Sequence, residues 1–407
     1  MRLPMLLALA CMPILLGACG NMLHLKEELR ISKEELRRIS VVLSSPRCKD
    51  CPIVLAALED PEGNGVGMVQ VYEREGAASI IVPAKSRFLF AFHDLNHDFE
   101  CQDDEARGWT ELPSKTETGF NTTITLSKPA ANTCPRKMGN LFTADLKQIQ
   151  AGRVVRLEDE RFSAKNAELG MWQPLTFMRE HHAGIYFLED YSKHKTPVLF
   201  VHGINGTPQN FASLIQSLDK EKYQPWVLYY PSGVSLDVLS NGLYVQMNAL
   251  HHRYGFNKLH LVAHSMGGLV ASGYVQKCAA NNACEYLRTY VSMASPFGGV
   301  GAAASGVKYS PVVMPVWKSL SPDSLFLSQL FSQSPPPDSR HYLMFAYRNG
   351  GGLGGESGDG TIPLSSQLRP AAQNQAARIY GFNDSHMGIL TNPDVHAQIR
   401  ALLNGEN

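Results

Sequence analysis

The residues best suited to chemistry lie in one short segment, Ala263-His264-Ser265-Met266-Gly267-Gly268. An apolar, strand-like run precedes this segment and a helix-length stretch follows it. In a tight turn from strand to helix, the residues two before and two after the serine must be small, because larger side chains would collide. Ala263 and Gly267 meet that requirement, and the turn leaves the Ser265 hydroxyl at a helix N-terminus, where developing negative charge is favoured. The pattern predicts a nucleophile, against the simpler interpretation of a serine that only begins a helix.

A nucleophilic serine needs a base and an acid, and two later segments supply candidates. Asp359 lies in the segment Gly358-Asp359-Gly360-Thr361-Ile362-Pro363, where glycines let the backbone present a carboxylate sideways. His386 comes after the last predicted strand and before the last predicted helix, in the chain order serine, acid, histidine. We therefore predict Ser265 as nucleophile, His386 as base and Asp359 as acid, with Glu356 as the alternative acid.

Acyl transfer also needs two backbone N–H groups aimed at the carbonyl oxygen as it becomes an oxyanion. Met266, the residue after the nucleophile, should supply one of them. The loop Val201-His202-Gly203-Ile204-Asn205-Gly206, which follows an earlier predicted strand, should supply the other.

These motifs span about residues 197–404 and resemble those of the α/β-hydrolase superfamily, within it bacterial lipases and esterases and the deacylases that act on GPI-like lipids. Likeness to the H-G-x loop of lipases implies that Ile204 is the second oxyanion donor and that His202 is structural. The resemblance implies a serine ester hydrolase that needs no cofactor and acts on lipid-like or medium-chain acyl esters. An acyltransferase using the same residues is one alternative. A non-catalytic, lipid-anchored adhesion or assembly protein on a hydrolase scaffold is another.

The elements that must position these residues begin near residue 196, where apolar pentads alternate with helix-length stretches. The candidate strands are residues 197–201, 226–230, 259–263, 290–294, 342–347 and 378–382. Continuous apolar strands alternating with helices indicate a parallel sheet covered on both faces. The predicted fold class is α/β, with a mostly parallel, doubly wound sheet of the α/β-hydrolase type over residues 185–407. Apolar residues within 300–340 would suit either a lid over the cleft or a cap packed on the core.

Residues 51–165 differ, because short β-type runs separated by turn residues predict a smaller β-rich, sandwich-like domain. Within it, Asp94, Asn96, Asp98 and Glu105 have the spacing of the oxygen ligands in a calcium loop. The position that needs glycine for the sharp turn of such a loop holds a phenylalanine. We therefore expect an ordinary acidic loop and no metal site.

The N-terminus has the pattern of an export signal, with Arg2 followed by an apolar run that ends in Leu16-Gly17-Ala18-Cys19. This ending resembles the lipobox of bacterial lipoproteins. The resemblance implies that residues 1–18 are a removed signal peptide and that a lipid on Cys19 holds the protein at a membrane of the cell envelope, with the outer membrane favoured. An uncleaved membrane anchor is the alternative. Residues 19–50 are predicted to form a tether with an amphipathic helix over residues 25–39.

Composition excludes other classes of function. The chain has 407 residues, with 37 basic and 37 acidic side chains and 18% charged residues, so it carries no electrostatic footprint for nucleic acid. Apart from two cysteines in the first 19 residues, six remain, and an even number in an exported protein predicts disulfides. Of these, Cys278 and Cys284 should close a short loop, and Cys48 and Cys51 suit a structural disulfide better than a redox motif.

Overall fold

The computed structural model describes residues 5–46, 48–113, 121–127, 133–139, 141, 151–180, 182–348 and 357–406. Side chains are described from residue 20 onward. Within these ranges, the chain forms a large mixed sheet flanked by helices and a smaller part made of two sheets.

The large sheet is the predicted α/β-hydrolase sheet. Among the described residues it has eight strands in the order β15-β14-β13-β12-β10-β11-β9-β8. Neighbouring strands pair in parallel, except that β9 and β11 are antiparallel. The strands are β8 (Arg153–Val154), β9 (Gly184–Phe187), β10 (Thr196–Val201), β11 (Tyr223–Tyr229), β12 (Leu259–His264), β13 (Leu287–Met293), β14 (Arg340–Tyr347) and β15 (Ala376–Asn383). All six strands predicted from the apolar pentads are present, which confirms the fold class.

Helices cover both faces of this sheet and bury separate apolar cores against it. The helices are α2 (Ala164–Trp172), α3 (Pro174–Arg179), α4 (Ala212–Gln216), α5 (Leu236–Tyr254), α6 (Met266–Ala280), α7 (Gly301–Tyr309), α8 (Pro315–Leu320), α9 (Leu325–Gln329), α10 (Leu364–Gln367), α11 (Pro370–Gln375) and α12 (Pro393–Leu403). Short 3-10 turns occupy Glu160–Phe162, Pro208–Phe211 and Gly388–Leu390. Burial on both faces explains why the strands are continuously apolar rather than alternating.

The smaller part is a sandwich of two sheets with strand orders β4-β1-β7 and β3-β2-β5-β6. Its strands are β1 (Leu36–Ser44), β2 (Ile53–Leu58), β3 (Val69–Tyr72), β4 (Gly76–Pro83), β5 (Phe88–His93), β6 (Arg107–Glu111) and β7 (Asn121–Thr125). The sequence pattern predicts the sandwich over residues 51–165. Strand pairing instead places residues 36–44 in the sandwich and residues 153–154 in the large sheet.

Strand β2 joins the two parts because every one of its six side chains is buried. Its odd-numbered residues, including Ile53 and Leu55, pack inside the sandwich. Its even-numbered residues, including Val54 and Leu58, share a core with helix α5 and the large sheet. Side chains alternate between the faces of a strand, so one continuous apolar run serves both cores.

The acidic loop predicted after β5 also contacts α5. Asp94 is fully buried, and His252 of α5 donates its Nε2–H to one Asp94 carboxylate oxygen over 2.7 Å. The backbone N–H groups of Asp98 and Phe99 donate to the same carboxylate. Burial alone would raise the pKa of Asp94, but the hydrogen bond and charge of His252 outweigh it and lower that pKa. The loop satisfies its carboxylate with protein donors, and within the described residues no cluster of His, Cys, Asp or Glu has metal-binding geometry.

The prediction of an amphipathic helix over residues 25–39 is wrong at the C-terminal end of the helix. Helix α1 spans Met5–Glu35, and the chain then continues as β1 from Leu36. Residues 39, 41 and 43 are buried and alternate with exposed neighbours, which is the period of a strand paired to β4 and β7. In the described part of the chain, no helix is both long enough and apolar enough to cross a membrane.

Helix α1 is docked on the hydrolase side rather than free in solvent. Leu25 is fully buried in the main core. One carboxylate oxygen of Glu28 accepts from the backbone N–H groups of Leu175 and Thr176 over 2.6 and 3.1 Å, and the other accepts from the Thr176 hydroxyl over 2.5 Å. Glu28 thereby satisfies orphan donors in the first turn of α3.

One side of the segment 314–330 in the candidate lid region packs into the core, whereas Leu325 in the same segment is 71% exposed. Met314, Val316 and Leu327 are fully buried, and the Val316 N–H donates to Gly233 O over 3.2 Å. Helix α7 is more open, and Tyr309 at its end is 73% exposed. The packed-cap interpretation therefore suits residues 314–330 better than it suits α7.

Three disulfides join the six cysteines from Cys48 to Cys284. They are Cys48–Cys51, Cys101–Cys134 and Cys278–Cys284. The predicted closure of the loop between Cys278 and Cys284 is present.

Replacing Glu28 tests the docking of α1. We expect Glu28→Ala to lower the free energy of unfolding by about 1–3 kcal/mol, because backbone donors in α3 lose their acceptor. Thermal unfolding measures the loss. Glu27→Ala is the matched control, since Glu27 is about half exposed and forms an ion pair with Arg30 one turn along the same helix. Equal melting temperatures for both variants would contradict the docking.

Candidate active site

Ser265 lies between β12 and α6 in a backbone conformation that side chains rarely adopt, with φ 53° and ψ −128°. Such a conformation costs about 1–3 kcal/mol and persists only where the surroundings hold it. Two backbone hydrogen bonds hold it here: Ser265 N–H donates to Met293 O over 2.8 Å, and Gly268 N–H donates to Ser265 O over 2.9 Å. The strand-to-helix turn predicted from the sequence is present.

Gly267 permits this turn because the first turn of α6 presses on the end of β10. A Cβ atom at Gly267 would lie 2.2 Å from Val201 O and 2.4 Å from His202 O. Both contacts are with backbone atoms, which cannot rotate away. The requirement for a small residue at this position, inferred from the sequence, therefore has a direct steric cause.

The structure brings Ser265, His386 and Asp359 into one hydrogen-bonded chain. Ser265 Oγ lies 2.9 Å from His386 Nε2, and His386 Nδ1 lies 2.7 Å from an Asp359 carboxylate oxygen. All three residues are buried, at 5%, 9% and 1% exposure. Glu356, the alternative acid, lies outside the described residues.

Asp359 is an acceptor for several donors. Its second carboxylate oxygen accepts from the backbone N–H groups of Thr361 and Ile362 over 2.8 and 2.7 Å. Gln367 of α10 donates its amide to the oxygen that faces His386, over 3.2 Å, and also bonds the backbone of Ala346 at the end of β14. Sequence reasoning missed Gln367, since nothing local distinguishes it from other glutamines. These donors hold the carboxylate toward His386.

The two N–H groups expected to face an oxyanion are those of Ile204, in the loop after β10, and of Met266, at the start of α6. Gly203 O accepts from His202 Nδ1 over 2.8 Å and from Gly206 N–H over 3.1 Å. In a trans peptide the C=O and the next N–H point in opposite directions, so this leaves the Ile204 N–H on the other side. Neither Ile204 N–H nor Met266 N–H has an acceptor among the described residues. A Cβ at Gly203 would lie 3.0 Å from Ser265 Cβ, which places this loop against the serine.

His202 occupies a structural position. Its ring stacks on Tyr230 at 4.2 Å between centroids, and the Tyr230 hydroxyl donates to His202 O over 2.5 Å. Burial lowers the pKa of His202 to about 4, so the ring is neutral at neutral pH.

His264, next to the serine, also contacts His386. Its Nε2 lies 2.8 Å from His386 O, and the two ring centroids are 4.7 Å apart. Burial, reinforced by the neighbouring His386, lowers the pKa of His264 to about 3. The sequence analysis assigned no role to His264, although its place in the turn could have drawn attention to it.

The arrangement can support nucleophilic catalysis. A serine hydroxyl faces an imidazole, and a carboxylate orients that imidazole. The N–H groups of Ile204 and Met266, which have no acceptor among the described residues, lie in the loop beside the serine and directly after the serine. The described side chains at the site offer no metal-binding cluster. The Cys19 side chain, the predicted lipidation site, lies outside the described side chains.

Substituting Gly267 tests the steric origin of the turn. We expect Gly267→Ala to lower the melting temperature and to displace Ser265, because the new methyl group would overlap two backbone carbonyls. Gly242→Ala is the matched control: Gly242 lies inside α5 with open space around its Cα, so alanine should stabilise the fold by about 0.5–1 kcal/mol. A Gly267→Ala variant as stable as the Gly242→Ala variant would contradict the steric argument.

A family model supports the assignment of the fold in the C-terminal part of the chain. Residues 231–406 match a family model described as alpha/beta hydrolase of unknown function (DUF915). No curated protein matches the chain in sequence. The product of gene lin2722 from Listeria innocua is a similar solved structure, with 17% identity, a TM-score of 0.40 and coverage of 51% of this chain and 94% of that one.

Two forms of the Bacillus licheniformis lipase BlEst2 are also similar. The propeptide form has 17% identity and a TM-score of 0.43, and the match covers 53% of this chain and 51% of that one. The mature form has 16% identity and a TM-score of 0.42, and the match covers 53% of this chain and 94% of that one. The family match over residues 231–406 agrees with the strand order of the large sheet, and both identify the alpha/beta-hydrolase fold in the C-terminal part of this chain.

Proposed function

We propose that the protein is a serine hydrolase of carboxylic esters that works through an acyl-enzyme. The observation that carries this proposal is the continuous hydrogen-bonded chain from Ser265 through His386 to Asp359. A buried chain of this kind costs free energy to assemble, because the serine backbone is strained and the carboxylate is desolvated. Such a cost is typical of a functional site.

In the first half of the proposed reaction, Ser265 Oγ attacks the ester carbonyl carbon while His386 Nε2 takes the hydroxyl proton. The carbonyl oxygen becomes an oxyanion, and the N–H groups of Ile204 and Met266 stabilise it. Asp359 stabilises the imidazolium that forms. The bond to the alcohol then breaks, the alcohol leaves with the proton from His386, and the acyl group remains on Ser265.

In the second half, water attacks the acyl-enzyme as His386 removes its proton. The same N–H groups stabilise the second oxyanion, and the carboxylic acid departs when Ser265 Oγ regains a proton from His386. An alcohol acceptor in place of water would give acyl transfer with the same residues.

Apolar side chains beside the reacting groups favour an apolar acyl group. Ile204 supplies one of the proposed oxyanion donors and Met387 directly follows His386, and the two residues are 37% and 53% exposed. Large apolar side chains exposed beside a reactive group suit contact with a hydrocarbon chain. We therefore propose lipid-like or medium-chain acyl esters as substrates.

Substitution of the reactive groups tests the proposed function. We expect Ser265→Ala and His386→Ala each to lower turnover of p-nitrophenyl esters by about a thousandfold or more, because neither variant can complete the proton transfer to and from the nucleophile. Circular dichroism and thermal unfolding verify that each variant folds. The wild-type protein should react with a fluorophosphonate at Ser265. A folded wild-type protein without this reaction would instead indicate a non-catalytic scaffold.

The same assay identifies the acidic residue that orients His386, and it shows whether water or an alcohol accepts the acyl group. Asp359→Asn should lose most activity but keep more than Ser265→Ala, because the histidine stays in place without its enforced tautomer. Glu356→Gln should remain active, and the reverse pattern would reassign the acid. Release of free acid in water with added alcohol present distinguishes hydrolysis from acyl transfer.

We also propose that the protein is exported and held at the outer membrane by a lipid on Cys19. The three disulfides support an oxidising compartment. With radiolabelled palmitate, the wild-type chain should be labelled and found in the membrane fraction, and Cys19→Ser should be unlabelled. Label retained by Cys19→Ser, or none on the wild-type protein, would contradict the anchor. Cys11→Ser is the matched control and should be labelled like the wild type.

A further inference from the structure

Both backbone polar groups of His386 are bonded to residues that adjoin or belong to the proposed catalytic chain. Its N–H donates to Asp359 O over 3.0 Å. Its C=O lies 2.8 Å from His264 Nε2, and since a carbonyl can only accept, His264 must donate through an Nε2–H. The peptide groups on either side of His386 are therefore fixed separately from the side-chain bonds to Ser265 and Asp359.

The link through His264 is short. His264 immediately precedes Ser265 in the chain, so one hydrogen bond connects the backbone of the base to the residue beside the nucleophile. We propose that His264 is a positioning residue, whose Nε2–H fixes the backbone of His386 relative to Ser265. This proposal rests on the proposed function and deepens it.

Position matters because proton transfer and attack depend on sub-ångström alignment. Ser265 Oγ and His386 Nε2 are 2.9 Å apart, within direct hydrogen-bonding range. A displacement of about 1 Å in a reacting group can cost about a hundredfold in rate. A fixed His386 backbone restricts that displacement, since any shift of the segment between β15 and the 3-10 turn at Gly388 moves the imidazole with it.

Neutrality of His264 suits this task. The ring is 3% exposed, and burial keeps its pKa near 3, so it stays uncharged over the range in which an ester hydrolase works. His386 becomes an imidazolium during the reaction, and its ring centroid is 4.7 Å from that of His264. A second positive charge at that distance would oppose the reaction, whereas a neutral donor does not.

A purely structural role predicts a different outcome. If His264 only fills space, any side chain of similar length should serve, and the hydrogen bond should not matter. Gln and Met have the same length, but only Gln carries an N–H donor at its end. The pair His264→Gln and His264→Met therefore separates the donor from the volume.

The experiment compares kcat and KM of both variants on a p-nitrophenyl ester with the wild type, together with fluorophosphonate labelling rates. We expect His264→Met to lose about tenfold to a hundredfold in kcat and in labelling rate, with KM changed less than about twofold. His264→Gln should recover at least half of that loss on a logarithmic scale. Equal losses in the two variants, or wild-type kcat in His264→Met, would overturn the proposal.

A measurement on the wild-type protein tests the proposal even if both variants fail to fold. Nitrogen-15 shifts of labelled histidine distinguish the neutral Nε2–H form from the Nδ1–H form and from the imidazolium. We expect His264 in the neutral Nε2–H form at pH 7, and either other form overturns the proposal. A wild-type protein that is inert to fluorophosphonate would instead refute the proposed function, whatever the state of His264.

Discussion

The close approach between the first turn of α6 and the end of β10 is the constraint on which the site depends. At Gly267 the helix backbone lies against two strand carbonyls, with no room for a side chain. This contact fixes where the helix begins, and the chain can enter it from β12 only through the strained conformation of Ser265. The strain is sustained by ladder-like hydrogen bonds to β13 and within α6, so the rigid sheet rather than the loop determines where the hydroxyl lies.

The other members of the site come from strands that end at the same edge of the sheet. The loops after β10, β14 and β15 carry Ile204, Asp359 and His386, and parallel pairing brings these strand ends together. Backbone groups do much of the positioning: Asp359 bonds to His386 through both its main chain and its carboxylate. Two neutral, buried histidines also bond to the loops beside the serine: His202 bonds to the loop after β10, and His264 bonds to the loop after β15.

Much of this could be predicted from sequence because the signals are local. The turn at Ser265 and Gly267, the strand periods and the short segments around Asp359 and His386 can each be recognised within a few residues of sequence. Other contacts gave no such signal. Glu28 meets Thr176 after 148 residues of chain. Gln367 lies only 8 residues from Asp359, but nothing in that spacing indicates that the two side chains bond. The end of α1 was misjudged because the spacing of Leu36 and Ile39 fits a helix, whereas the tertiary pairing of β1 favours the alternation that begins there.

Strand β2 has a consequence for how the molecule can be divided. Its two faces belong to two different cores, so the sandwich supplies part of the apolar lining against which α5 is folded. A fragment that began at residue 185 would leave that lining exposed to water and would lose the buried partner of His252. The part with the α/β-hydrolase fold is therefore not an autonomous module that recombination could transplant, and a gene for it would have to retain the strands that precede it.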